Sequence, residues 1–181
     1  LGSHLAYEQG IFHRDIKPAN IAIHPKTFKA TIIDWGLADF YIPNKTYGPK
    51  TGTLRYKAPE MLLGYNLLDY STDIWALGCT FASMVSIKFN YYKLKIFNKF
   101  PFYTGKDHFH QLRKINRHLG TAALLELMDK HNISWPFHHP LNYHTGIPWS
   151  DFINEKNKEK ANPEAIDLLS QMLVVDFVTF N

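Results

Sequence analysis

Thirteen residues separate Asn20 from Asp34, and they hold two short β-rich runs, Ile21 to His24 and Ala30 to Ile33, on either side of the segment PKTFK. Short runs of β-branched residues bounded by proline and polar residues predict a β-hairpin. A hairpin brings the chain back to where it left. Asn20, just before the first strand, and Asp34, just after the second, are therefore expected at the same end, two hard oxygen ligands side by side. The loop that feeds this hairpin, FHRDIKPANIAI, adds Asp15 and Lys17 to that end.

An Asn–Asp pair suits Mg²⁺, which takes one or two protein oxygens and fills its other positions with water and phosphate. A carboxylate at Asp15 can orient a hydroxyl and accept its proton, and the Lys17 ammonium can neutralise a transferring phosphoryl group. A lone Asp or Lys in a loop is ordinarily a solvated surface residue. The spacing argues otherwise: H-R-D-x-K-x-x-N from His13 to Asn20 is followed in order by D-W-G at 34–36 and A-P-E at 58–60. Three linked motifs point to phosphoryl transfer.

Leu1 and Leu5 lie one helical turn apart ahead of Gly10, so the chain is expected to open inside a helix that Gly10 ends. Residues 35–57 are glycine-bearing and aperiodic, the profile of a long functional loop. Helices dominate beyond. STDIWALGCTFASMV is expected to start with Ser71 or Thr72 as N-cap, and Phe109, Leu112, Ile115 and Leu119 recur at helical spacing before Gly120. Thr121 is expected to cap TAALLELMDKH, and Asn162 with Pro163 to open EAIDLLSQMLVV. The fold class read from this pattern is mostly α with one small β-hairpin.

The chain has 181 residues, long enough for one domain or most of one, and its 45% hydrophobic content fits a globular protein rather than a disordered one. The lone Cys79 excludes an internal disulfide framework and favours a reducing compartment. The greasiest run, Ala76 to Val85, is interrupted by Gly78 and Ser83 and is far too short to span a bilayer, so no membrane partner is expected. A net charge of +4 is small and spread out, which gives no support to a nucleic-acid partner. His108 and His110 of HFH and the pair His138–His139 come without paired cysteines, so a zinc site is not favoured either.

Taken together, HRDIKPAN, DWG, APE and DIWALG make the chain resemble the C-terminal lobe of a eukaryotic protein kinase. It most closely resembles the catalytic alpha subunits of the casein kinase II family, in the CMGC group. That narrower likeness rests on the tryptophan of DWGLADFY and on YSTDIWALGCTFASM, PFYTGKDHFHQL, DKHNI and WSDFINEKN running into NPEAIDLL. The resemblance implies a serine/threonine kinase using ATP and Mg²⁺. Asp15 would be the catalytic base, Lys17 would support the γ-phosphate, and Asn20 and Asp34 would hold the metal. Thr53 would bond near Asp15 and Lys17, and Asp73 would accept backbone N–H groups from the catalytic loop, with His13 and Arg14 as scaffold. Ala22 and Ile33 would floor the adenine pocket. Lys50, Arg55 and Lys57 would meet the acidic residues that follow the phosphorylated Ser or Thr, so the partners implied are acidic protein substrates. A regulatory beta subunit is also implied, though that family makes much of this contact through its N-terminal lobe. The location implied is nucleus and cytoplasm.

Residues 1–181 are thus read as a partial kinase domain, the C-terminal lobe with the N-terminal lobe absent. Only a short stretch precedes HRD, so the Gly-rich loop, the strand lysine and its helix glutamate are not here, and the chain alone is expected to be inactive. Ala22 also stands where kinases carry a larger apolar side chain. Residues 86–99, SIKFNYYKLKIFNK, read as an insertion, either retained non-coding sequence or a lineage-specific surface loop or basic amphipathic segment. After QMLVVD the expected arginine partner of Glu60 does not follow, and the C-terminal end is read as incomplete. The other function class compatible with these residues is a non-catalytic, pseudokinase-like module that binds acidic peptides through residues 50–57.

Overall fold

The computed structural model describes residues 7–83, 101–155 and 157–175. The helical start at Leu1 and Leu5, the segment 86–99 and the chain end from 176 lie outside the described residues. Tyr7 and Glu8 are helical, and Gly10 turns the chain with φ +74° while its N–H reaches the Tyr7 carbonyl. Strand β1 (Ile11–Phe12) follows, then a 3-10 turn at Pro18–Asn20, then β2 (Ile21–Ile23) and β3 (Ala30–Ile32). Strands β2 and β3 pair antiparallel with Ile21 opposite Ile32, and the Ile33 N–H donates to the Asn20 carbonyl at 2.9 Å. The hairpin forms as its β-branched runs require.

It is not the only sheet, and this corrects the expectation of a single hairpin. β4 (Asp39–Phe40) pairs antiparallel with β1, Ile11 opposite Phe40, inside the stretch expected to be a loop. Two-residue strands leave no periodic signal. They are held by distant anchors: Tyr41 N–H donates to the Gly10 carbonyl at 2.7 Å, and the Tyr47 hydroxyl donates to the Phe40 carbonyl while accepting from Ile42 N–H.

The body is built from α1 (Pro59–Leu62), α2 (Ser71–Ser83), α3 (His108–Leu119), α4 (Thr121–Lys130) and α5 (Pro163–Met172). Two of the expected caps shift. Ser71 and Thr72 are the first helical residues of α2, and Asp69 serves its start instead, its carboxylate accepting from Ser71 N–H and its carbonyl from the Thr72 hydroxyl. Thr121 does not cap α4: its hydroxyl donates to the Asn142 carbonyl and accepts from His144 N–H, pinning a distant segment. Asn162 caps α5 as expected, accepting from Ala165 N–H, with Pro163 in the first turn.

Helix α2 runs through the core with Trp75, Cys79 and Ala82 buried, in one cluster with Leu112 and Ile115 of α3, Leu124 and Leu127 of α4, and Leu169 of α5. Each fully buried Leu or Ile contributes about 1.5–3 kcal/mol. Gly78 lets α2 meet the end of α5, because a Cβ there would stand 2.9 Å from Leu173 Cδ2. Glu60, which was expected to lack a partner, is only half-buried and is not without one. No helix among the described residues is long and apolar enough to cross a membrane.

His118 sits inside this body, bonded to the Tyr103 hydroxyl and ringed by Phe102, Trp149 and Phe152. Burial pushes its pKa down to about 4. The folded protein thus refuses a proton that the unfolded chain accepts near pH 6.5, so stability is full above that value and falls as pH drops toward 4. The expected loss across this window is about 3 kcal/mol, read from denaturant melts, and His118→Leu should flatten that part of the pH profile.

Candidate active site

Asp73, in the first turn of α2, is 2% exposed, and its two carboxylate oxygens accept from His13 N–H at 2.6 Å and Arg14 N–H at 2.8 Å. Burial pushes the carboxyl pKa up, while these backbone donors pull it down. Its placement is the one expected of it. Arg14 takes a left-handed backbone, φ +68°, that turns the chain into Asp15. His13 ties the loop to the hairpin: Nδ1 accepts from Asp15 N–H at 3.3 Å and Nε2 bonds to the Ile33 carbonyl at 3.1 Å, which assigns the proton to Nε2. The ring of Trp35, the tryptophan of D-W-G, stands edge-on to His13 with centroids 4.8 Å apart.

Asp15 is the centre of the constellation. Its Oδ1 accepts from the Thr53 hydroxyl at 2.7 Å and Thr53 N–H at 2.9 Å, and its Oδ2 from Lys17 Nζ at 2.6 Å and Asn20 Nδ2 at 3.2 Å. Lys17 Nζ also reaches the Thr53 hydroxyl at 3.0 Å. Burial would raise the Asp15 carboxyl, but the Lys17 and Thr53 hydrogen bonds outweigh it and hold the group below the usual carboxylate range. It is ionised at neutral pH and oriented from both sides, with Lys17 placed to meet developing negative charge.

Asn20 is buried, and its amide NH₂ also donates to the Asp15 carbonyl at 2.9 Å. That leaves the amide oxygen free to face a cation. Asp34 follows the Ile33–Asn20 hydrogen bond directly, takes a left-handed φ of +62°, and is exposed with no side-chain hydrogen bond among the described residues. The structure thus brings Asn20 and Asp34 to the same end of the hairpin, with two oxygens of the kind Mg²⁺ takes when phosphate and water complete its shell. Among the described residues no group of three or more His, Cys, Asp or Glu is arranged to hold a metal. Ala22 and Ile33 share one face of the hairpin by register and are both exposed, while Ile21 and Ile32 pack against the core.

The three basic residues do not form one surface patch. Lys50 and Arg55 are exposed, but Lys57 is 4% exposed and donates from Nζ to the Pro49 carbonyl at 2.7 Å. Desolvation lowers its pKa.

Several contributors carry no local sequence signal. Arg14 does more than scaffold the loop: its guanidinium bonds the Thr51 hydroxyl at 3.1 Å, lies 3.5 Å from Asp39 and covers the rings of Phe12 and Tyr47. Gln111 of α3 accepts from Gly105 N–H and donates to the Arg55 carbonyl, binding that helix to the segment beside the site. Gly52 is held at φ +84°, and a Cβ there would lie 2.6 Å from the Arg14 carbonyl oxygen. A glycine next to a site threonine is the only trace that close approach leaves in sequence.

Compared with protein families, the chain matches the model of the protein kinase domain over residues 2–178.

Gly52→Ala meets both a forbidden φ and a backbone atom, so it should cost at least about 2 kcal/mol in a denaturant melt. Before global unfolding it should also expose the Thr53 amide, now bonded to Asp15, to faster hydrogen exchange. Unchanged protection at Thr53 would count against the close packing of these two segments.

Proposed function

The chain belongs to the protein kinase family, and from that premise we propose that it carries the catalytic and substrate-binding part of a serine/threonine kinase of casein kinase II type, using ATP and Mg²⁺ and acting on acidic protein substrates. The observation that carries the reading is the closed set of contacts around Asp15, made by Lys17, Thr53 and Asn20 within 3.2 Å. A module that only bound peptides would have no use for an ionised carboxylate oriented from both sides.

In this reading Asp15 aligns the substrate hydroxyl and accepts its proton as phosphoryl transfer proceeds. Lys17, fixed by Asp15 and Thr53, neutralises charge on the transferring group. Asn20 and Asp34 would hold Mg²⁺, which would supply charge neutralisation for the nucleotide phosphates. Ala22 and Ile33 offer the apolar face on which the base rests. Thr53, bonded to both Asp15 and Lys17, ties the substrate-side segment to the catalytic loop, and this favours Ser/Thr over Tyr as acceptor.

Support for acidic substrates comes from Lys57. It is a buried ammonium whose one hydrogen bond goes to a neutral carbonyl, and among the described residues no carboxylate pairs with it. A desolvated cation without a counter-ion attracts one strongly. Lys50 and Arg55, exposed beside it, extend the positive field. The same likeness to casein kinase II proposes a regulatory beta subunit as partner and residence in nucleus and cytoplasm.

The 181 residues contain no G-x-G-x-x-G. Alone they should bind Mg-ATP poorly and turn over negligibly, since positioning of the phosphates supplies most of the catalysis. Joined to a casein kinase II N-terminal lobe, with 86–99 deleted and the C-terminus completed, the chain should label acidic Ser peptides in a radiolabelled-phosphate assay, and Asp15→Asn should abolish the signal. A chimera that melts cooperatively but stays inactive would support the non-catalytic module instead.

A further inference from the structure

Helix α3 begins at His108 and is fastened against the segment that carries the basic residues: Gln111, fully buried, donates to the Arg55 carbonyl at 3.1 Å and accepts from Gly105 N–H at 2.7 Å. The same segment is folded on itself by the Lys57–Pro49 bond, which sets Lys50 close to Lys57. His108 is half-buried where these two pieces meet. The acid on its own helix is engaged elsewhere, since Asp107 accepts from both the backbone and the ring of His110. Lys50 and Lys57 on the segment and His108 at the start of the helix fastened to it thus lie at one seam, with Asp107 beside His108 bonded to His110.

We propose that His108 is a specificity residue of the proposed acid-binding site, and that it takes up a proton when a substrate carboxylate enters beside Lys57, so that acidic peptides bind more tightly as pH falls. The inference rests on the reading of Lys50 and Lys57 as the acid-binding residues. In the free protein His108 is held toward its neutral form by desolvation first, then by Lys57 and Lys50, with Asp107 opposing them. A carboxylate seated among the three screens both lysines and adds an attraction of its own, which restores the basicity of the ring. Binding and protonation are then linked, and each favours the other by the same factor. The other groups facing this corner are Arg55 on the segment, His110 on the helix, and His138 and His139, which line the adjoining cavity with His108.

The test uses the 181-residue chain and two fluorescein-labelled peptides, Ala-Glu-Glu-Glu and Ala-Gln-Gln-Gln, with fluorescence anisotropy followed from pH 8 to pH 6. Affinity for the Glu peptide should rise at least about threefold over this range, within the tenfold-per-pH-unit limit for one linked proton. The Gln peptide should show no such rise. His108→Asn should remove the pH dependence while keeping the Glu-over-Gln preference, and Lys57→Met should remove the preference itself. In an independent measurement on the unmodified chain, the His108 ring proton signal should titrate at higher pH with the Glu peptide than without it.

A Glu preference that is independent of pH, or a pH dependence that survives His108→Asn, would overturn the role of His108 and leave the acid-binding reading standing. Absence of any Glu preference at every pH would overturn that reading and this proposal together.

Discussion

Two consecutive backbone N–H groups, those of His13 and Arg14, end on one buried carboxylate, Asp73. Burying a charge costs several kcal/mol, and here the cost is offset by donors that would otherwise be orphaned in the same place. The consequence is positional. Asp73 belongs to α2, whose Trp75, Cys79 and Ala82 lie in the core, so the loop bearing Asp15 takes its coordinates from a core helix rather than from its own conformational preferences. The left-handed Arg14, the Nε2-protonated His13 and the clamp on Asp15 all follow from that attachment.

What could be read in the sequence was what local chemistry decides. The hairpin followed from β-branched runs around PKTFK, the start of α5 from Asn162–Pro163, and the arrival of Asn20 and Asp34 at one end from the hairpin's need to return. What could not be read is made by contacts across long stretches of chain. β4 exists because Tyr47 and Gly10 hold its neighbours. Thr121 has the composition of a cap, yet Asn142 and His144 claim its hydroxyl. Lys57 has the composition of a surface cation, yet the fold of 49–57 turns it inward onto Pro49. In each case a residue type with two good uses was assigned by a partner that the sequence does not place nearby.

Lys17 and Lys57 end up in opposite electrostatic conditions. Lys17 is compensated by Asp15 at 2.6 Å and acts as a fixed part of the geometry. Lys57 is desolvated against a carbonyl dipole and keeps its attraction for an anion from outside. One sequence segment therefore holds a paired ammonium and another an unpaired one, and Thr53, bonded to both Asp15 and Lys17, joins them.

The amide of Asn20 faces Asp15 through its nitrogen alone, donating to both the carbonyl and the carboxylate of that residue. Its oxygen is thereby turned away from Asp15. The position thus depends on the nitrogen itself as well as on the size of the side chain. Loss of ammonia from the side chain replaces the donor by a second carboxylate about 3 Å from the first, and two such groups cannot both stay ionised. A hydrolysis that changes the mass of the chain by a single unit would turn the attraction that orients Asp15 into a repulsion, leaving size and shape almost untouched.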